Sequence, residues 1–236
     1  VHRRRPVVSL DVAIRLTEML LGLAFVQQSI EHIRAPGNER WLFLPRIVLS
    51  VLLLLGFHTP WVSLALFGLG LVILNRFQGP YNGGSDRMGL LILCSLCLVH
   101  VLPTTSWQEV AFGYLALQLV LSYFMSGWVK IANPEWRRGL ALQDVFRFSA
   151  YPVAESLRGW ADWPRLLFAL SWTVMLFELV FPLSLFTQPT LIAGLAIAAA
   201  FHLANACLFG LNRFFWTWLA AYPSILWLQH RVFAAG

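Results

Sequence analysis

Apolar runs of membrane-spanning length, separated by short polar stretches, recur along the whole chain. A helix needs about 20 largely apolar residues to cross a bilayer, with a range of about 17–25. Candidate runs lie near 9–33, 41–57, 61–76, 88–104, 108–130, 164–186, 189–209 and 212–230. This pattern predicts an all-α fold: a polytopic transmembrane helical bundle of about eight spans. The second, third and fourth runs are short, and the turn Phe57–Trp61 between the second and third is tight, so a re-entrant hairpin is the other reading of that pair. Prolines at 60, 103, 182, 189 and 223 mark ends or kinks, which neighbouring helices tolerate by satisfying the freed backbone groups.

If all eight runs cross, the connections near 34–40, 77–87, 131–163 and 210–212 share one face of the membrane. The longest of them, 131–163, carries Trp136, Trp160 and Trp163 with Arg137, Arg138, Arg147 and Arg158. Tryptophan and arginine together are the composition of amphipathic helices lying at headgroup depth. This segment is expected to hug the surface. Sidedness stays open, because Arg3, Arg4 and Arg5 favour a cytoplasmic N-terminus while the arginines of the long connection favour the reverse.

Composition agrees with the pattern. Of the 236 residues, 58% are hydrophobic and only 12% charged, and the mean hydropathy is +0.68. No stretch has the pattern of a separate soluble domain, so residues 1–236 read as one integral-membrane domain, expected in a bacterial inner membrane. The opening VHRRRPVV has no small-residue cleavage site after it and reads as retained sequence, not a signal peptide. A formal charge of +6 does not imply a nucleic-acid partner here, since the arginines sit mostly at span ends, where lipid phosphates meet them. The partner implied is the lipid bilayer. Cys94 and Cys97 have redox-type spacing but fall inside an apolar run, where buried thiols are the simpler reading. The six histidines form no i,i+4 pair, and no metal is predicted. No serine sits in a nucleophile elbow.

Polar residues within apolar runs are costly and therefore candidates for function. In the first run Asp11, Arg15 and Glu18 fall at i,i+4 and i,i+3 spacings, which predicts a self-neutralising ladder; a catalytic role is the other reading. Glu31, His32 and Arg34 read as an interfacial cap. The segment 78–88, QGPYNGGSDRM, is richer in glycine and hydrogen-bonding side chains than a turn requires. Asn82, Gly83, Ser85 and Asp86 therefore form either a ligand-contacting loop or an elaborate turn. Glu178 lies in an apolar run, as a neutral packing residue or a proton-transfer group unless a cation meets it. His202 and Asn205 are three apart, on one helix face.

Lys130 stands out most: it is the only lysine among 17 basic residues, placed where an apolar run gives way to the Trp/Arg segment. Arginine does the anchoring elsewhere, so an amine here suggests chemistry. Removing an amine from water favours its neutral form, which can accept a proton.

The stretch 123–142, YFMSGWVKIANPEWRRGLAL, resembles the Tyr/Phe-x-x-Gly-x-x-Lys and Trp-x-x-Gly signature of the HTTM family, the membrane domain shared with vitamin K-dependent γ-glutamyl carboxylase. FHLANACLFGLNRFFWTWLAAYPSIL (201–226) is similar to that family's histidine-containing penultimate region, and YNGGSDRMGLL (81–91) to its earlier loop. The resemblance implies that Lys130 is the base that deprotonates a reduced quinone and that His202 belongs to the quinone site. At the loop position where the carboxylase has a histidine, this chain has Gly84 with Asp86 nearby, and no counterpart of the carboxylase's large extramembrane portion precedes Gly236. The expected function is thus a membrane enzyme using a quinone/hydroquinone or similar lipid-soluble substrate with Lys130 as general base, glutamate carboxylation not being implied. His202 and Asn205 are expected to orient the bound group, Asp86 and Asn82 to shape the entrance, and Gly83, Ser85, Trp136 and Glu178 to line the site. The alternative is a non-catalytic membrane partner in peptide maturation, export or immunity, working on a peptide or with a companion protein that supplies an extramembrane domain.

Overall fold

The computed structural model describes residues 9–34, 40–76, 83–148 and 152–233. Those residues are mostly helical, with no strand among them. The α-helices are α1 (Leu10–Arg34), α2 (Arg40–Leu55), α3 (Thr59–Arg76), α4 (Gly83–Val101), α5 (Thr105–Ala132), α6 (Pro134–Arg137), α7 (Leu140–Phe148), α8 (Pro164–Val180), α9 (Gln188–Phe209) and α10 (Asn212–Phe233). Two 3₁₀ helices, Glu155–Asp162 and Phe181–Phe186, flank α8. Each of the eight apolar runs is a helix, with ends close to those expected. Among the described residues, five stretches are long and apolar enough to cross a membrane: α3, α4 from Gly84, α5, α8 with its 3₁₀ extension, and α9.

The chain forms two compact units. Unit 1 comprises 1–117 and 213–236, and unit 2 comprises 118–212, so α5 contributes to both. In unit 1, α1 packs along α2, and α3 along both α2 and α4. Its interior is made of Leu21, Phe43, Leu53, Leu66, Ile92, Leu96, Phe112 and Ile225, all buried. Outward positions such as Leu23, Val48 and Leu64 are exposed apolar side chains, as lipid-facing surfaces require. Trp41, Trp61 and Trp107 are exposed near the starts of their helices, the depth at which indole rings favour the membrane interface.

In unit 2, the segment expected at the surface folds as α6, α7 and the first 3₁₀ helix. Each of the latter two is strongly amphipathic. Their apolar sides converge, because Phe146, Ala161, Leu167 and Phe209 form a buried cluster covered by Leu142, Leu157 and Trp160. Gln143 donates to the Ala161 carbonyl at 2.8 Å, and Arg158 to that of Arg147 at 2.6 Å, tying the two short helices together. Thr187 opens α9 through a capping box with Thr190, satisfying amide groups left free at a helix start.

One expectation is corrected. Gly83 to Met88 are not loop but the first turns of α4, so Ser85 and Asp86 are helical, with Asp86 in the first turn where the helix dipole favours an acid. Arg46, just after Pro45 inside α2, is buried at 4% exposure.

Candidate functional site

In unit 2 one face of α5 carries Tyr123, Ser126, Gly127 and Lys130, at i, i+3, i+4 and i+7. Gly127 has a physical reason. A Cβ there would lie 2.7 Å from the Leu179 amide nitrogen and 3.0 Å from Glu178 Cβ, so only glycine lets α5 approach α8 so closely. That approach brings Lys130 to Glu178. The ammonium donates to Glu178 Oε2 at 2.5 Å and Oε1 at 2.6 Å, and to Ser126 Oγ at 2.7 Å. Ser126 in turn donates to Glu178 Oε1 at 3.0 Å, closing a three-membered network. Glu178 is therefore met by a cation and is not the lone carboxylate that the sequence suggested. Its side chain is 3% exposed and that of Lys130 17%, so the pair is screened only weakly by water.

The second glycine of the signature is explained as well. Gly139 follows α6 with φ +78°, and a Cβ on it would lie 2.9 Å from the Phe168 backbone. It turns the chain against α8. This fixes Trp136, whose ring centroid lies 5.4 Å from Lys130 Nζ, within cation–π range. The Trp-x-x-Gly element thus lays an aromatic face against the lysine that precedes it.

One helical turn along α5 from Ser126, the buried Tyr123 hydroxyl is 3.0 Å from His202 Nε2. Tyr123 also packs on Phe181 at 4.3 Å and Phe177 at 6.2 Å between ring centroids. Asn205 sits one turn beyond His202 along α9, half-buried, and its backbone carbonyl accepts from Leu211 at the helix end. Lys130, Glu178, Trp136, His202 and Asn205 are thus all in unit 2, with Glu178 and Trp136 each against Lys130.

The other expected residues belong to unit 1. Asn82 lies outside the described residues. Gly83 opens α4, Ser85 is buried, and Asp86 accepts from Gln28 Nε2 at 2.7 Å. Asp86 lines the same small cavity as Arg46, whose guanidinium lies 4.0 Å over the Phe25 ring. At the end of α1, His32 stacks on Phe43 at 3.9 Å, and Arg213 reaches His32 at 3.0 Å and Glu31 at 3.7 Å, so the expected interfacial cap is built with α10.

Four participants went unrecognised in the sequence. Ser126 was detectable as the residue four before Lys130, and Tyr123 as the one seven before it. Gln28 and Arg46 gave no local signal, since their importance comes from Asp86, which is distant in sequence.

The sequence profile of the HTTM domain matches residues 102–229, more than half of the chain and all of the Lys130 network. The chain belongs to the HTTM family. It is an integral membrane protein of the family related to vitamin K-dependent carboxylase. The similarity noted at 81–91 falls outside the residues matched to this HTTM profile. No curated protein and no solved structure matches this HTTM protein.

Proposed function

We propose that this protein is a membrane enzyme that takes a proton from a lipid-soluble phenolic ligand of the hydroquinone class, with Lys130 as general base and Glu178 as its proton partner. The observation that carries the reading is the Lys130–Ser126–Glu178 network, which places the chain's only lysine in a buried ion pair. Counted over the pair, uptake of one proton leaves an ammonium beside a carboxylic acid, whichever partner held the proton at the start. The ligand O–H bond breaks and a bond to hydrogen forms within the pair. The remaining ammonium then faces the anion it has created, and such positioned charge is a large source of catalysis in a dry site.

The surroundings suit such a ligand. Tyr123, Phe177, Phe181 and Trp136 supply aromatic surface, and His202, held by Tyr123, supplies a polar group to orient an oxygen. A hydroquinone would bring an ionisable hydroxyl and two transferable electrons. Asn205 extends the polar face toward the end of α9.

An alkyl hydroquinone monomethyl ether tests this reading without redox side reactions, because its anion absorbs at longer wavelength than the neutral phenol. Added to the purified protein in nanodiscs at neutral pH, it is expected to bind as the anion, although a free phenol ionises only near pH 10. Lys130→Arg keeps the positive charge but removes the base, and is expected to bind the probe in neutral form. A neutral bound probe in the unmodified protein, or an undiminished anion signal in Lys130→Arg, would overturn the reading in favour of a non-catalytic membrane partner.

A further inference from the structure

Unit 1 contains a second polar centre. A cavity of about 320 Å³ is lined by Asp11, Ile14, Arg15, Glu18, Thr59, Val99, His100 and Gln108. That is room for about ten waters at roughly 30 Å³ each. It opens where α1, α3 and α5 begin and α4 ends. Three of these helices are apolar enough to span, so the cavity lies at headgroup depth.

The hydrogen-bonding capacity of its lining identifies the ligand. Arg15 directs three of its five N–H groups into the protein: Nη1 donates to Glu18 Oε2 at 2.9 Å and to the Leu53 carbonyl at 2.8 Å, and Nη2 to the Leu54 carbonyl at 2.5 Å. The predicted ladder is therefore incomplete, since Arg15 turns away from Asp11 to close the end of α2. Glu18, 2% exposed, has its other oxygen 2.8 Å from His100 Nε2. A carboxylate only accepts, so Nε2 carries the hydrogen. Thr59 Oγ1 lies 3.4 Å from the same Nε2. One nitrogen faces both the hydroxyl and the carboxylate, which rules out a Thr–His–Glu relay. Gln108 donates through Nε2 to the Leu102 carbonyl at 3.0 Å, leaving its Oε1 open. Among the described residues, Asp11 has no hydrogen-bond or ion-pair partner.

The open acceptors are the two carboxylate oxygens of Asp11 and Oε1 of Gln108. Asp11 also adds one negative charge beyond the Arg15–Glu18 pair. Ile14 and Val99 offer a small apolar wall. We infer that this cavity binds a primary ammonium group, which brings three N–H donors and a positive charge, on a small molecule or on an amine-bearing lipid headgroup.

Propylammonium is the probe, followed by saturation-transfer NMR at pH 8 on the full chain in phosphatidylcholine nanodiscs. Saturable binding is expected, weakened at least tenfold in Asp11→Asn, retained in Asp11→Glu, and absent for propyltrimethylammonium, which has the charge but no N–H. Asp11 is exposed, so the variants are expected to unfold at the same temperature as the parent. Repeating the titration in discs containing phosphatidylethanolamine separates the sources: suppressed binding identifies a lipid headgroup, and unchanged binding a free amine. No saturable binding, equal binding to Asp11→Asn, or equal binding of the trimethyl compound overturns the inference.

Discussion

Glu178 in unit 2 and Glu18 in unit 1 are both almost completely buried glutamates of a membrane protein, yet they are neutralised in different ways. Glu18 is held by an arginine whose guanidinium is also bonded to two backbone carbonyls at the end of α2, and by His100. Glu178 is held by an ammonium on a flexible stem, with one serine as second partner. A guanidinium does not give up its proton in proteins, and its planar fork fits several acceptors at once. An amine can exchange its proton with a neighbour. The Arg15 cluster therefore fixes helix ends, while the Lys130 cluster is where a proton can move.

The largest effect expected on this contrast comes from Glu178→Leu, which strands the Lys130 charge. It should destabilise the protein by about 3–5 kcal/mol in equilibrium unfolding. The double variant Lys130→Met/Glu178→Leu should recover most of that loss, since removing both charges is often close to neutral. Costs that simply add would show that the two residues do not act as a pair.

Exchanging the two kinds of cation sharpens the comparison. Arg15→Lys should cost about 2–3 kcal/mol, because one ammonium cannot serve Glu18 and both carbonyls. Lys130→Arg should cost about 1 kcal/mol or less on the scale of well-tolerated substitutions while losing proton uptake. Equal stability losses in the two would remove the distinction between a structural and a reactive cation. The smallest effect is expected of Tyr123→Phe, which removes the bond to His202. It should cost about 0.6 kcal/mol, the average for hydrogen bonds between membrane helices, read from the same unfolding curves.

Much of this was legible in the sequence. The helices followed approximately from the lengths of the apolar runs, and Lys130 was conspicuous because it is the one lysine in an arginine-rich chain. The glycines of the family signature were visible, but their reason was not: Gly127 matters because of Leu179 and Glu178, some fifty residues later, and Gly139 because of Phe168. The Asp86 region was misread as loop because glycines open α4 as readily as they form a turn. Arg46 gave no local signal, since it is Phe25 and Asp86, distant in sequence, that lie beside it. His100 joins Glu18 across a separation of 82 residues, which no local pattern encodes.

A single lysine also makes the central claim directly observable. Labelling with lysine enriched in ¹⁵N at the side chain gives one Nζ resonance, that of Lys130. It should shift when Glu178 is replaced by glutamine, and shift again when the hydroquinone monoether binds. An Nζ resonance unchanged by both would contradict a Lys130–Glu178 pair that exchanges a proton with a phenolic ligand.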